Sequence, residues 1–145
     1  RSFAIRNEET QEHAAPEKLT VLVVEPRKEP YLKEIDPGLH SLQAEVGGDI
    51  AASYPFSDPV GLVCNDEGKY NGMRPCRAIY GEDREMMDII FGPFFICDCS
   101  TPYFGSLNKE QLERYKKQFQ NPEHFFRVGG EIKAVPYKPE KDHER

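Results

Sequence analysis

Apolar and polar positions fall into blocks whose period changes along the chain. Leu19-Thr20-Val21-Leu22-Val23-Val24 is almost unbroken apolar sequence closed by Glu25-Pro26, the pattern of a strand buried on both faces. After the turn Arg27-Lys28-Glu29-Pro30, the alternation in Tyr31–Ile35 predicts a hairpin partner. Leu39, Leu42 and Val46 recur at three- and four-residue spacing, which predicts a short amphipathic helix. Its signals are Asp36 as N-cap, Pro37 at the first helical position and Gly47-Gly48 as a left-handed stop. Strands are predicted at Asp49–Tyr54 and Val60–Cys64. Reverse-turn chemistry follows in Asn65-Asp66-Glu67-Gly68-Lys69 and again at Asn71-Gly72. Pro75 and Gly81 cut short any helix in Arg74–Asp83, which stays undecided between states. Met86–Cys99 is the second large apolar block, kinked at Gly92-Pro93, and reads as strand for much of its length.

The strongest local signal comes late. Asn108-Lys109-Glu110-Gln111 is a capping box, with Leu107 and Leu112 at hydrophobic-staple positions. Leu112, Tyr115 and Phe119 line one face of the helix that follows. Asn121-Pro122 predicts a further helical turn through Phe126, and Ile132–Val135 a returning strand. These elements predict a single α+β domain: a mostly antiparallel sheet of about five strands with two main helices on one face. Residues 1–18 read as a linker or arm, 19–135 as the domain and 136–145 as a flexible tail.

Composition narrows the classes. In 145 residues with 38% apolar and 30% charged content, one hydrophobic core can form without disulfide or metal staples. The apolar run Ile89–Cys97 is broken by Gly92 and Pro93 and is too short for a membrane span. The chain opens on Arg1 without a secretory signal, which reads as a piece of a longer cytoplasmic protein. The net charge of -6 is unevenly spread: residues 19–104 carry -7 and residues 105–145 carry +2. An acidic body argues against nucleic-acid binding through counterion release, and equally against anionic membranes. Four cysteines, Cys64, Cys76, Cys97 and Cys99, match no zinc spacing and predict buried, reduced thiols, with a metal or redox role for Cys97-Asp98-Cys99 left open. Nine of the sixteen aromatic residues lie between Phe91 and Phe126, which predicts core where helix meets sheet.

Catalytic constellations are sparse. His13, His40, His124 and His143 form no zinc-hydrolase pattern, and neither a nucleophile elbow nor a P-loop occurs, so no catalytic residue, metal or cofactor is assigned. The candidate ligand surface is the turn region: Asn65, Glu67, Lys69, Asn71, Arg77 and Asp88, with Asp66, Arg74 and Asp83 beside them. Polar groups converging at a sheet edge suit a small ligand or peptide, and Asp66 with Glu67 could act as paired carboxylates. Arg77, beside Ala78 and Ile79, calls for a carboxylate partner such as Asp83 or Asp88.

The quoted strand Leu19–Glu25, Glu29-Pro30-Tyr31 and the Gly38-Leu39…Leu42-Gln43…Val46-Gly47-Gly48 element resemble domain-of-unknown-function family 3846. So do Cys64-Asn65-Asp66-Glu67-Gly68-Lys69…Asn71-Gly72…Arg77-Ala78 and Asp88-Ile89-Ile90…Gly92…Phe94-Phe95-Ile96, the resemblance covering roughly residues 18–120. After Asn71-Gly72 the family pattern continues Leu-Pro-x-Asn, where this chain has Met73-Arg74-Pro75-Cys76, so the asparagine falls on Cys76. The resemblance implies an uncharacterised domain frequent in phages and conjugative elements. The resulting expectation is a non-enzymatic binding module with a protein partner, acting on host defence or regulation. Two other classes stay open: a small enzyme or nucleotide-binding domain using the Asn65–Arg77 loop, and an acidic mimic of DNA.

Overall fold

The computed structural model describes residues 2–3 and 18–139. In chain order the elements are β1 (Ser2–Phe3), β2 (Leu19–Val24), β3 (Tyr31–Ile35), α1 (Leu39–Val46), β4 (Ile50–Ser53) and β5 (Val60–Asn65). They continue with β6 (Pro75–Tyr80), β7 (Met86–Phe91), β8 (Phe94–Asp98), α2 (Lys109–Gln118), β9 (Glu123–Val128) and β10 (Glu131–Pro136). Six strands form one antiparallel sheet in the order β1-β4-β5-β8-β2-β3, and the hairpins β6–β7 and β9–β10 stand apart from it. The fold is α+β and mostly antiparallel, as the patterning implies. Of the expected linker (residues 1–18), Arg1 and residues 4–17 lie outside the described residues, while Ser2↔Ser53 and Phe3↔Ala52 pair at the sheet margin. The end of the expected tail, from residue 140, also lies outside them.

The helices are not on one face. Alternation along the central strands sends Val21, Val23, Val63, Phe95 and Cys97 to one side, where α1 buries Leu42 and Val46. Leu22, Val24, Leu62, Phe94 and Ile96 point to the other side, where α2 packs Tyr115, Leu112 and Phe119 beside Cys76, Ile79 and Ile90 of β6–β7. This corrects the one-face arrangement, and the reason lies in β2 itself. A strand apolar on both faces needs cover on both, and each fully buried Leu or Ile contributes about 2 kcal/mol only once water is excluded.

Three local expectations change as well. Arg74–Asp83 resolves as strand β6, irregular between Pro75 and Arg77 and between Ile79 and Tyr80. Met86–Cys99 divides at Gly92, whose φ of 84° is one only glycine adopts readily, so β7 joins the small hairpin and β8 the centre of the main sheet. Residues after Asn121-Pro122 form β9 rather than a helical turn. They return through Gly129 and Gly130, both at positive φ (57° and 86°), the requirement of a tight hairpin turn. At α1 the N-cap is Gly38, without a side-chain bond, rather than Asp36, which lies two residues earlier and pairs with Lys18 at 2.7 Å. The C-terminal stop stands as expected, Gly47 taking φ 80° and donating to the Gln43 carbonyl at 2.8 Å. The capping box of α2 also forms: Gln111 N–H donates to Asn108 Oδ1 and Asn108 N–H to Gln111 Oε1, each at 2.8 Å. No helix among the described residues is long and apolar enough to cross a membrane.

Candidate functional site

The turn after β5 is built by its own polar residues. Buried Asn65 donates from Nδ2 to the Val46 carbonyl at 3.1 Å and accepts the Glu67 N–H on Oδ1 at 2.8 Å, joining the end of α1 to the loop. The Glu67 carbonyl accepts the Tyr70 and Asn71 N–H groups, and the Asn71 side-chain amide donates to the Glu67 and Gly68 carbonyls at 3.2 Å. Gly68 presses against β7 so closely that a Cβ would sit 2.6 Å from the Phe91 carbonyl oxygen. Lys69 Nζ meets Asp88 Oδ1 at 3.0 Å with both side chains about half exposed. Asn65, Lys69, Asn71 and Asp88 therefore come together but are engaged in holding the turn, Asn65 and Asn71 shaping it and Lys69–Asp88 tying it to β7. The Asp66 and Glu67 side chains are exposed.

Arg77 does not join them. It is 1% exposed, and its guanidinium is turned to the α2 face. Its five N–H donors meet four main-chain carbonyls. Nε and Nη2 reach Phe119 at 3.1 and 2.9 Å, Nη1 reaches Cys76 at 3.0 Å and Glu25 at 3.4 Å, and Nη2 reaches Lys28 at 2.7 Å. The expected pairing with Asp83 or Asp88 is thus replaced: Asp83 accepts the Glu85 N–H within its turn, and Asp88 holds Lys69. The physical reason is that the Phe119 carbonyl, at the negative pole of α2, takes two of the guanidinium's bonds and the three other carbonyls take the rest, so every donor is satisfied without a direct carboxylate contact. Burial lowers the Arg77 pKa from its ordinary value, and nearby Cys76 and Glu123 oppose that shift. Glu123 accepts the Ala78 N–H at 2.8 Å and, being half-buried, has its own pKa raised by desolvation. Cys76 is buried and donates Sγ to the Val24 carbonyl at 3.6 Å. Arg74 is exposed, its carbonyl accepting the Gly92 N–H.

Two connected grooves flank this loop. The smaller, of about 280 Å³, lies between Ala51–Ser53 of β4, the Asn65–Tyr70 turn and β7. The larger, of about 860 Å³, runs between β7 and the β10 strand and shares Lys69, Asp88, Ile89 and Phe91 with the first. Its apolar side chains stand unusually open for their type: Met87 is 59% exposed, Tyr80 43% and Ile132 37%. Lys69–Asp88 on the β7 side and Lys133–Glu131 on β10 pair along its rim at 3.0 and 3.2 Å. Arg84 and Arg127 make no ion pair among the described residues, against one unpaired acid, Glu85, so the groove is locally cationic on an acidic protein. Tyr80, Arg84, Met87, Arg127 and Ile132 were not singled out by motif. The available signal was apolar residues alternating with charge in segments that have no other core to fill. Among the described residues, no three His, Cys, Asp or Glu side chains gather as metal ligands.

Residues 19–120 match the family described as Domain of unknown function (DUF3846), and the chain belongs to it. No curated protein and no solved structure matches the chain.

Proposed function

We propose that this member of the DUF3846 family is a binding module that holds an extended, acidic-apolar segment of a partner protein in the groove between β7 and β10. The observation that carries the reading is the groove itself: about 860 Å³, with Met87, Tyr80 and Ile132 exposed beside Arg84 and Arg127, which make no ion pair among the described residues. Exposed apolar groups rimmed by charge are the usual character of a recognition surface. The strand geometry supports an extended occupant, since β7 pairs only with β6 and its second edge has no strand among the described residues. Such an edge supplies main-chain hydrogen bonds, while side-chain pockets set specificity. Carboxylates on the segment would meet Arg84 and Arg127 and strengthen with falling ionic strength. The mobile-element context implied by the family resemblance makes a host protein of defence or regulation the first partner class to examine.

A displayed library of random peptides tests the reading. Enriched peptides should alternate apolar and acidic residues, bind more weakly as salt rises, and lose binding to Met87→Glu and to Arg127→Glu while the thermal unfolding of both variants stays at the parent value. Peptides that bind both variants as well as the parent would place recognition elsewhere and end the proposal.

A further inference from the structure

Two thiols meet at the end of β8. Cys97 and Cys99 are two residues apart and belong to the same apolar cluster on the α1 side, Cys97 fully buried and Cys99 half-buried. Gly61 is the register partner of Cys97, and a Cβ on Gly61 would lie 2.7 Å from Cys99 Sγ. The Cys99 side chain therefore leans back over the neighbouring strand toward Cys97 and fills the space that the glycine leaves. Cys99 also lies one residue past the end of β8, where its main chain keeps an N–H bond to the Pro59 carbonyl at 2.7 Å. A backbone position outside the strand can shift to bring two sulfurs to bonding distance more readily than one inside it.

The neighbouring Cys97 thiol lowers the Cys99 pKa from its ordinary value, while the nearby Cys99 sulfur and complete burial raise the pKa of Cys97. The other two thiols lack such a partner. Burial pushes Cys64 up to about 11, with Asp88 and Asp66 adding to the shift, and pushes Cys76 up to about 12. An accessible sulfur with its charge stabilised, backed by a buried one, is the division of labour that dithiol exchange requires.

We propose that Cys97 and Cys99 form a redox-active dithiol, with Cys99 the attacking thiol, Cys97 the resolving thiol and a small-molecule disulfide such as oxidised glutathione the oxidant. The Cys99 thiolate attacks one sulfur of the oxidant. Its S–S bond breaks, one glutathione thiolate leaves and takes up a proton, and a mixed disulfide remains on Cys99. Cys97 then loses its proton and attacks the Cys99 sulfur, and the second glutathione leaves as the mixed bond breaks. The two protein thiols give up two electrons and two protons, and the oxidant carries them away as two thiols. Reduced glutathione reverses the sequence.

The reduced full-length chain, treated with oxidised glutathione and quenched with an alkylating agent, tests this by intact mass and peptide mapping. The expected product is a Cys97–Cys99 disulfide with no glutathione retained. The lowered pKa of Cys99 and the raised pKa of Cys64 place more thiolate on Cys99, an advantage that lower intrinsic nucleophilicity returns only in part. Alkylation of Cys99 should therefore run at least about tenfold faster than that of Cys64. Cys97→Ala should trap one glutathione on Cys99, and Cys99→Ala should leave Cys97 unmodified. Glutathione retained on Cys99 in the parent chain, or alkylation of Cys99 no faster than of Cys64, would overturn the proposal. Both of those readouts use the parent chain, so they decide the matter even if Cys97→Ala does not fold.

Discussion

Replacing Arg77 by Lys keeps the charge and most of the stem, yet the structure says that it should be one of the more damaging conservative changes in the chain. The guanidinium spreads five donors over four carbonyls that belong to the end of α2, the β2–β3 turn and β6 itself. An ammonium has three donors on a single atom and cannot span that set. At least two of the five bonds are lost, and bonds to a charged group are worth about 1.5–3 kcal/mol each. The expected destabilisation is therefore about 3 kcal/mol or more, a large part of the roughly 5–15 kcal/mol that holds a domain folded. Urea unfolding followed by circular dichroism should show a lower midpoint with an unchanged slope. Arg77→Met, which removes the charge and all five guanidinium bonds to the four carbonyls, should be at least as damaging. A loss below about 1 kcal/mol for Lys, or a Met variant as stable as the parent, would mean that burying the charge costs as much as its bonds return, and the reasoning would fail.

Asn65→Ala removes the donor to the Val46 carbonyl and the acceptor for Glu67 N–H, and should cost about 1–3 kcal/mol in the same urea assay. Gly92→Ala should cost about 1 kcal/mol or more, because φ is 84° and the new Cβ would lie 2.4 Å from Met73 Sδ; thermal unfolding reads it. Glu123 supplies a pH test. Its folded pKa is raised, chiefly by desolvation, so the folded state binds more protons than the unfolded one. Stability should accordingly fall as pH rises from about 4.5, the ordinary value, through the folded pKa. Glu123→Gln keeps an acceptor for Ala78 N–H, and urea midpoints measured across pH should lose that decline; a decline of the same size in the variant would assign it to another group.

The parts of the fold legible from sequence are those with local causes. The capping box at Asn108 and Gln111 forms because both bonds lie within one turn, and Gly47 stops α1 because its conformation is a property of glycine itself. Which face a helix covers depends on partners distant in sequence, and here the double-sided pattern of β2 decides it by requiring cover on both faces. Asn121-Pro122 misleads for a similar reason: N-cap and N1 chemistry also suits a strand entry, and Gly129-Gly130 decides between them by making a hairpin. Among the candidate ligand residues, Asn65, Lys69, Asn71 and Asp88 do gather around one turn. Arg77 departs because strand alternation and the irregularity after Pro75 point it to the opposite side. The groove residues carry no motif, since their meaning comes only from two hairpins lying side by side.

The Gly92-Pro93 joint has a consequence for how any occupant is received. It connects β7, one wall of the larger groove, directly to β8, which is hydrogen-bonded on one edge to β2 and on the other to β5. A slip of one residue in β8 would invert every side chain between the two cores, so that strand is fixed in register, and a two-residue joint leaves β7 little slack. The wall is therefore set before anything binds. An occupant loses its own conformational entropy on ordering but imposes little on the protein, which favours short segments held by a few well-placed side chains over partners that must remodel the surface.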